Sequence, residues 1–120
     1  GRGLDVFKLT PSEHLSAGEI AAAEAVRVPV ANIQHQQRIV WPNTATTARA
    51  HFDQIMRHNG LSPTQSAAIA ADLDAASGSA AARARLAAQA RSLEVVAANA
   101  TPRQAERLRN LAAALRNVRR

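Results

Sequence analysis

Asn59-Gly60-Leu61-Ser62-Pro63-Thr64-Gln65 reads as the end of one helix followed at once by the start of another. Gly60 suits the left-handed residue just past a helix end, with Leu61 able to fold back on the last turn. Ser62 suits an N-cap and Pro63 the first helical position, where no N–H is needed. Gln65 stands where a capping-box side chain reaches back to the cap. The same grammar recurs in Thr10-Pro11-Ser12-Glu13, Ser16-Ala17-Gly18-Glu19 and Thr101-Pro102-Arg103-Gln104. A chain punctuated in this way is predicted to be a succession of short helices.

Upstream of the junction, Ala48, Phe52, Ile55 and Met56 fall on one stripe at helical spacing, which predicts a helix over Thr44 to His58. Downstream, Ile69, Leu73 and Ala76 give the core face of a helix from Pro63 to about Ala76. Asp72 and Asp74 lie near its C-terminal end, where the helix dipole disfavours acids, so arginines of the following helix are expected to compensate them. Gly78 and Ser79 make a break. Ala80 to Asn99 then carries two apolar stripes, Leu86, Ala90, Leu93 and Ala97 on one side and the small residues Ala81, Ala84, Ala88 and Val95 nearly opposite. Such a helix lies in the middle of a bundle, or its second face is a docking surface. The last helix starts at Thr101, and Leu108, Leu111, Leu115 and Val118 form its seam; two heptads are too few for a coiled coil, so a packed amphipathic helix is expected.

The first third of the chain is less regular. Residues 1–10 read as an arm with a short apolar pattern, Leu4, Val6, Phe7 and Leu9, able to dock in extended form. A turn from Pro11 to about Leu15 leads into a helix from Ala17 to about Arg27, which Pro29 ends. Val30, Ile33, Gln37 and Val40 keep helical spacing, so a helix is expected from about Val30 to Val40, although Arg38 to Trp41 alone resembles a strand. Pro42 and Asn43 stop it. The expected architecture is an all-α, Ala-rich, compact bundle of four to five short helices in a single domain. It comprises an N-terminal arm (1–10), a helix plus irregular segment (11–43) and a helical core (44–120).

Composition supports this and limits the chemistry. At 120 residues the chain suffices for one modest core. Phe7, Phe52 and Trp41 are the only aromatics, so the core is mainly alanine and its helices must approach closely. Cysteine is absent, which excludes disulfides, thiol catalysis and cysteine zinc sites. No apolar run reaches the roughly 18 residues of a membrane span. The chain opens with Gly1 rather than Met, as a processed or excised segment behind a tag remnant would.

Charge is uneven. Residues 1–75 carry six bases and seven acids, whereas residues 76–120 carry nine arginines against Glu94 and Glu106. Arg103, Arg107, Arg109, Arg116, Arg119 and Arg120 on and beyond the last helix are the candidate contacts for an anionic partner such as nucleic acid. The alternative is a solvated helix surface in which Arg replaces Lys, as in a GC-rich genome. Residues 76–120 contain no aromatic, so base stacking is not available and nucleic-acid binding would be weak and nonspecific.

The junction at Asn59–Gln65 also has the outline of a helix-turn-helix, but Pro63 to Ala71 contains no Arg or Lys for phosphate and base contacts. Of the four histidines, His51 and His58 share a helix face yet stand about 10 Å apart along its axis, too far to share one metal. Neither His14 nor His35 supplies a His-Glu-x-x-His pattern. Every conspicuous Ser or Thr sits at a helix cap, which accounts for it. The glycines form no phosphate loop, and Asp72 and Asp74 point to different faces. No catalytic, cofactor or metal residues are therefore assigned, and an enzyme is not expected.

Leu9-Thr10-Pro11-Ser12-Glu13 and Leu61-Ser62-Pro63-Thr64-Gln65 resemble the Leu-Thr-x-x-Gln boxes of small periplasmic helical proteins of the stress-chaperone and metal-sensor type. The resemblance implies an exported or periplasmic location and a stress- or metal-responsive role, without the Met-rich character of the metal-sensing members. The reading favoured by the residues themselves is a non-catalytic helical module that binds another protein or its own copy. Ala81, Ala84, Ala88 and Val95 are its candidate docking face.

Overall fold

In the computed structural model, residues 3–26, 34 and 38–119 are described. They form five helices: α1 (Ala17–Ala25), α2 (Ala45–Arg57), α3 (Pro63–Ala75), α4 (Ala80–Ala98) and α5 (Pro102–Arg116). No strand occurs among the described residues, only isolated bridges at Ser12–Leu15 and Thr44–Arg119. The protein is an all-α bundle of short helices, as its caps and periodicity imply.

Each helix starts where its hydroxyl predicts. The Ser16 hydroxyl accepts the Glu19 N–H at 3.1 Å while the Glu19 carboxylate accepts the Ser16 N–H at 2.8 Å, a complete capping box. Ser62, Ser79, Thr44 and Thr101 accept the N–H three residues on. Gln65 departs from the box, since its side-chain oxygen accepts from the Ser62 hydroxyl at 3.2 Å instead of reaching the cap backbone. In the turn ahead of α1, Ser12 rather than Thr10 supplies the hydroxyl, accepting the His14 N–H at 3.2 Å.

The end of α2 corrects the expectation for Gly60. The left-handed residue is Asn59, with φ of 52°, and no glycine among the described residues has a positive φ. The Gly60 N–H reaches the Ile55 carbonyl at 3.1 Å and the Asn59 N–H reaches Met56 at 3.1 Å, the two bonds of a Schellman ending with Asn59 at C′ and Gly60 at C″. Glycine is needed at 60 for space. A Cβ there would stand 2.8 Å from Ile55 Cγ2.

The core is one cluster drawn from α2 to α5 and Val118. Leu108, Leu111 and Leu115 of α5 face Leu86, Ala90, Leu93 and Ala97 of α4, all buried. The many buried alanines (Ala82, Ala90, Ala97, Ala105, Ala112) put little side-chain bulk between these two helices. α2 closes over α5 with Ala48, Phe52 and Ile55, and α3 covers α4 with Ile69 and Leu73. Met56, assigned to the core stripe of α2, is 38% exposed because α2 ends beside it. Beyond α5 the Arg119 N–H donates to the Asn43 carbonyl at 2.9 Å, tying the end of the chain to the start of α2.

α1 packs on α2 and contributes one buried residue, Ala22, outside the main cluster. Of the helix expected over 30–40, residues 30–33 and 35–37 lie outside the described residues, and Arg38–Val40 are non-helical and exposed. Val40 faces water on one side and Pro42 follows two residues later, so this end has neither a core to cover nor room to continue.

Candidate functional site

Two surfaces proposed from sequence, and one region not anticipated there, could carry function. On α4 the residues Ala81, Ala84, Ala88 and Val95 are all exposed, Val95 by 68%. This settles one of the two alternatives for that helix: it does not lie in the centre of the bundle, because α3 and α5 cover only the Leu86–Leu93 side and its flanks.

The arginines do not gather on one surface. Arg116 pairs with Glu94 of α4 at 2.6 Å. The Arg116 hydrogen bond holds the Glu94 carboxyl below its ordinary range against slight desolvation, and the charges of Arg116 and Arg109 add to this; the Arg116 guanidinium is raised in turn. Arg109 and Arg116 thus lie toward α4 along one side of α5, whereas Arg103 and Arg107, about 120–180° around the helix from them, flank the other side. Arg107 lines a small cleft together with His58 and Gly60 at the α2 end. Arg119 is exposed at the opposite end of α5, and Arg120 lies outside the described residues.

Two arginines of α4 are occupied within the fold. Arg85 grips the buried Asp72 through Nε at 2.8 Å and a second nitrogen at 2.7 Å, and Gln89 donates to the other carboxylate oxygen at 2.9 Å. Arg83 donates to the Ala76 carbonyl at 2.6 Å, satisfying the end of α3. Asp72 is therefore compensated from the following helix as expected. Asp74 is not: its partner is Arg49 of α2, at 3.3 Å.

A polar seam joins α1 to α2. Arg57 holds both oxygens of Glu19, and the Ser16 hydroxyl donates to Asp53 at 2.6 Å. Burial raises the Glu19 pKa, but the Arg57 hydrogen bond, the Ser16 backbone N–H and the Arg57 charge together outweigh it and leave the carboxyl below its ordinary value. A Cβ on Gly18 would meet Asp53 Oδ2 at 2.8 Å, so this glycine permits the approach.

The unanticipated region centres on Trp41, 41% exposed, and the half-buried His51. They stand between two clefts. One, of about 410 Å³, runs between α1 and α2 and is lined by Leu15, Ala22, Ala23 and Ala50. The other, of about 360 Å³, lies between α2 and the end of α5 and is lined by Arg38, Asn43, Thr44, Asn110 and Asn117. Burial lowers the His51 pKa and favours neutral imidazole. The sequence signal was a lone tryptophan ahead of a proline, which gives no hint of what surrounds it.

Among the described residues no group of three or more His, Asp or Glu is placed to hold a metal ion. His14 pairs with Glu13 at the surface, His58 caps α2, and His35 lies outside the described residues. No helix among the described residues is long and apolar enough to cross a membrane.

The N-terminal arm is an apolar surface left open. Leu4, Val6, Phe7 and Leu9 are between 62% and 89% exposed. Compared with protein-family models, with curated proteins and with solved structures, the chain shows no significant match in any of the three.

Proposed function

We propose that the chain is a non-catalytic helical interaction module that binds another protein or its own copy. The observation that carries this reading is the arm. Four large apolar side chains stand in water beside a bundle whose own core is complete, and burying each would contribute about 1.5–3 kcal/mol to an association. The exposed face of Ala81, Ala84, Ala88 and Val95 adds a second apolar surface. The hydroxyls of Ser16, Ser62, Ser79, Thr44 and Thr101 are engaged as caps, which supports a structural rather than a catalytic use of them.

The test is photo-crosslinking in cells, with the reactive residue placed at position 7, at position 84, or at the exposed position 71 on α3 as a control. A discrete adduct from position 7 or 84 and none from 71 is expected. Absence of any adduct at both 7 and 84 would refute the reading. Nucleic-acid binding is less well supported, because Arg83, Arg85 and Arg116 are spent on partners within the fold and the other described arginines of residues 76–120 are divided between α4 (Arg91), two sides of α5 and the segment beyond it. Binding to labelled random-sequence duplex whose logarithm falls linearly with that of salt would reverse this order.

A further inference from the structure

Resting on the interaction-module reading, the geometry points to a specific occupant for the α1–α2 cleft: residues 4–9 of a second copy of this chain, in a reciprocal exchange about a two-fold axis. An extended chain sends alternate side chains to opposite faces, so Leu4 and Val6 point one way and Phe7 and Leu9 the other. An arm apolar on both faces suits a cleft with two walls better than a flat surface. The α1–α2 cleft has such walls, the apolar Leu15, Ala22 and Ala23 on one side and Ala50 among Thr47, His51 and Gln54 on the other, with Trp41 beside them. Its charged member, Glu19, is already neutralised by Arg57.

Length and position fit. Six extended residues span about 20 Å, more than the roughly 14 Å of the nine-residue α1. The arm is rooted at the rim of the cleft, because the Ser12–Leu15 turn, closed by N–H···O bonds of 2.9 and 3.3 Å, ends on the cleft residue Leu15. When two rims meet across a two-fold axis, each root lies beside the other molecule's cleft.

Area decides between one arm and two. Burying each of the four side chains removes about 60–120 Å² from water, or about 240–480 Å² for the arm. Counting the cleft surface covered, a single docked arm buries about 500–950 Å², below the 1,200–2,000 Å² of stable specific interfaces. Two reciprocal arms bury about 1,000–1,900 Å². A second copy supplies the second arm; an unrelated partner does not.

The experiment is sedimentation equilibrium of the full chain from about 1 µM to about 1 mM, with emission of Trp41, the single tryptophan, recorded at each concentration. A rise from one to two chain masses with a shift of Trp41 emission is expected. Phe7→Asp on the arm and Ala23→Arg in the exposed wall of the cleft should each leave the chain monomeric with helical circular dichroism unchanged. Their mixture should associate more weakly than wild type, since one arm and one cleft remain intact.

Dimerisation unaffected by Phe7→Asp overturns the proposal. So does a Trp41 emission altered by Phe7→Asp at dilutions where wild type is monomeric, which would place the arm in its own cleft. A wild-type chain monomeric throughout, with a discrete adduct still formed from position 7, would remove the second copy and leave the interaction module standing. Monomer with no adduct from position 7 or 84 would remove both.

Discussion

Replacing Asn59 and Gly60 separately by alanine tests the ending of α2, and the two readings of that ending predict opposite signs. Asn59 holds φ at 52°, where a residue with a β-carbon is strained by about 1–2 kcal/mol and Asn is partly relieved by its short polar side chain. Asn59→Ala removes that relief and should cost about 1 kcal/mol. Were Gly60 the left-handed residue and Asn59 helical, the same change would stabilise by a few tenths, alanine being the better helix former.

Gly60→Ala places a Cβ 2.8 Å from Ile55 Cγ2, on a side chain that is 2% exposed and belongs to the buried core. Overpacking of this kind costs about 1–3 kcal/mol. The unfolded chain of the alanine variant is less mobile and returns about 0.4–1 kcal/mol, leaving a net loss of up to about 2.5 kcal/mol. Urea unfolding followed at 222 nm reads both. With a slope of about 1–3 kcal/mol per M, each kcal/mol lowers the midpoint by about 0.3–1 M. The Ile55→Ala background is the control, since there the overpacking should vanish and Gly60→Ala should become neutral or slightly stabilising, giving a coupling of about 1–3 kcal/mol. Asn59→Ala at or above wild-type stability, or an undiminished Gly60 penalty in the Ile55→Ala background, would refute the reasoning.

Acid should act in two windows. Burial depresses the His51 pKa below its ordinary 6.5, so the unfolded chain binds the proton more tightly; stability is full above 6.5 and falls as pH drops through the lower folded value. His51→Gln should flatten the urea midpoint against pH in that range. The Glu19 pKa is also depressed, from 4.5, so the stabilisation by its carboxylate is full above 4.5 and is lost as pH falls further, a loss that Glu19→Gln should abolish. Asp72→Ala, which strips the buried acceptor from Gln89 and Arg85, should cost about 1–3 kcal/mol in the same assay. By contrast Asp74→Ala, on a side chain 72% exposed, should stay within about 0.5 kcal/mol of wild type.

Helix starts were legible in the sequence because a cap is a local event: Ser16, Thr44, Ser62, Ser79 and Thr101 need only the N–H three residues on. The buried stripes Leu86–Ala97 and Leu108–Val118 followed from periodicity alone. What depends on a neighbour was not legible. That residue 60 must lack a β-carbon depends on Ile55, whose Cγ2 would stand 2.8 Å from one. The fates of the arginines are settled across helices, Arg116 by Glu94 and Arg85 by Asp72, so a count of charge overstated the free surface. Of the two apolar faces of α4, both visible in the sequence, only the packing showed which one is covered. The clefts beside Trp41 arise from α1, α2 and α5 meeting, and no spacing in the chain encodes them.

The attachment of α1 has a consequence for how the molecule breathes. With Ala22 as its one buried residue, α1 is held mainly by Ser16–Asp53 and Glu19–Arg57, and residues 26–44 separate it from α2, whereas α2 to α5 follow one another through short connections. Hydrogen bonds of this kind contribute about 1 kcal/mol each, little against the apolar burial that fixes α4 and α5. α1 is then a cooperative unit of its own at the low-stability end of the molecule. Its amide protons are expected to exchange with solvent through an opening that leaves the other four helices closed, and that opening would carry one wall of the α1–α2 cleft away with it.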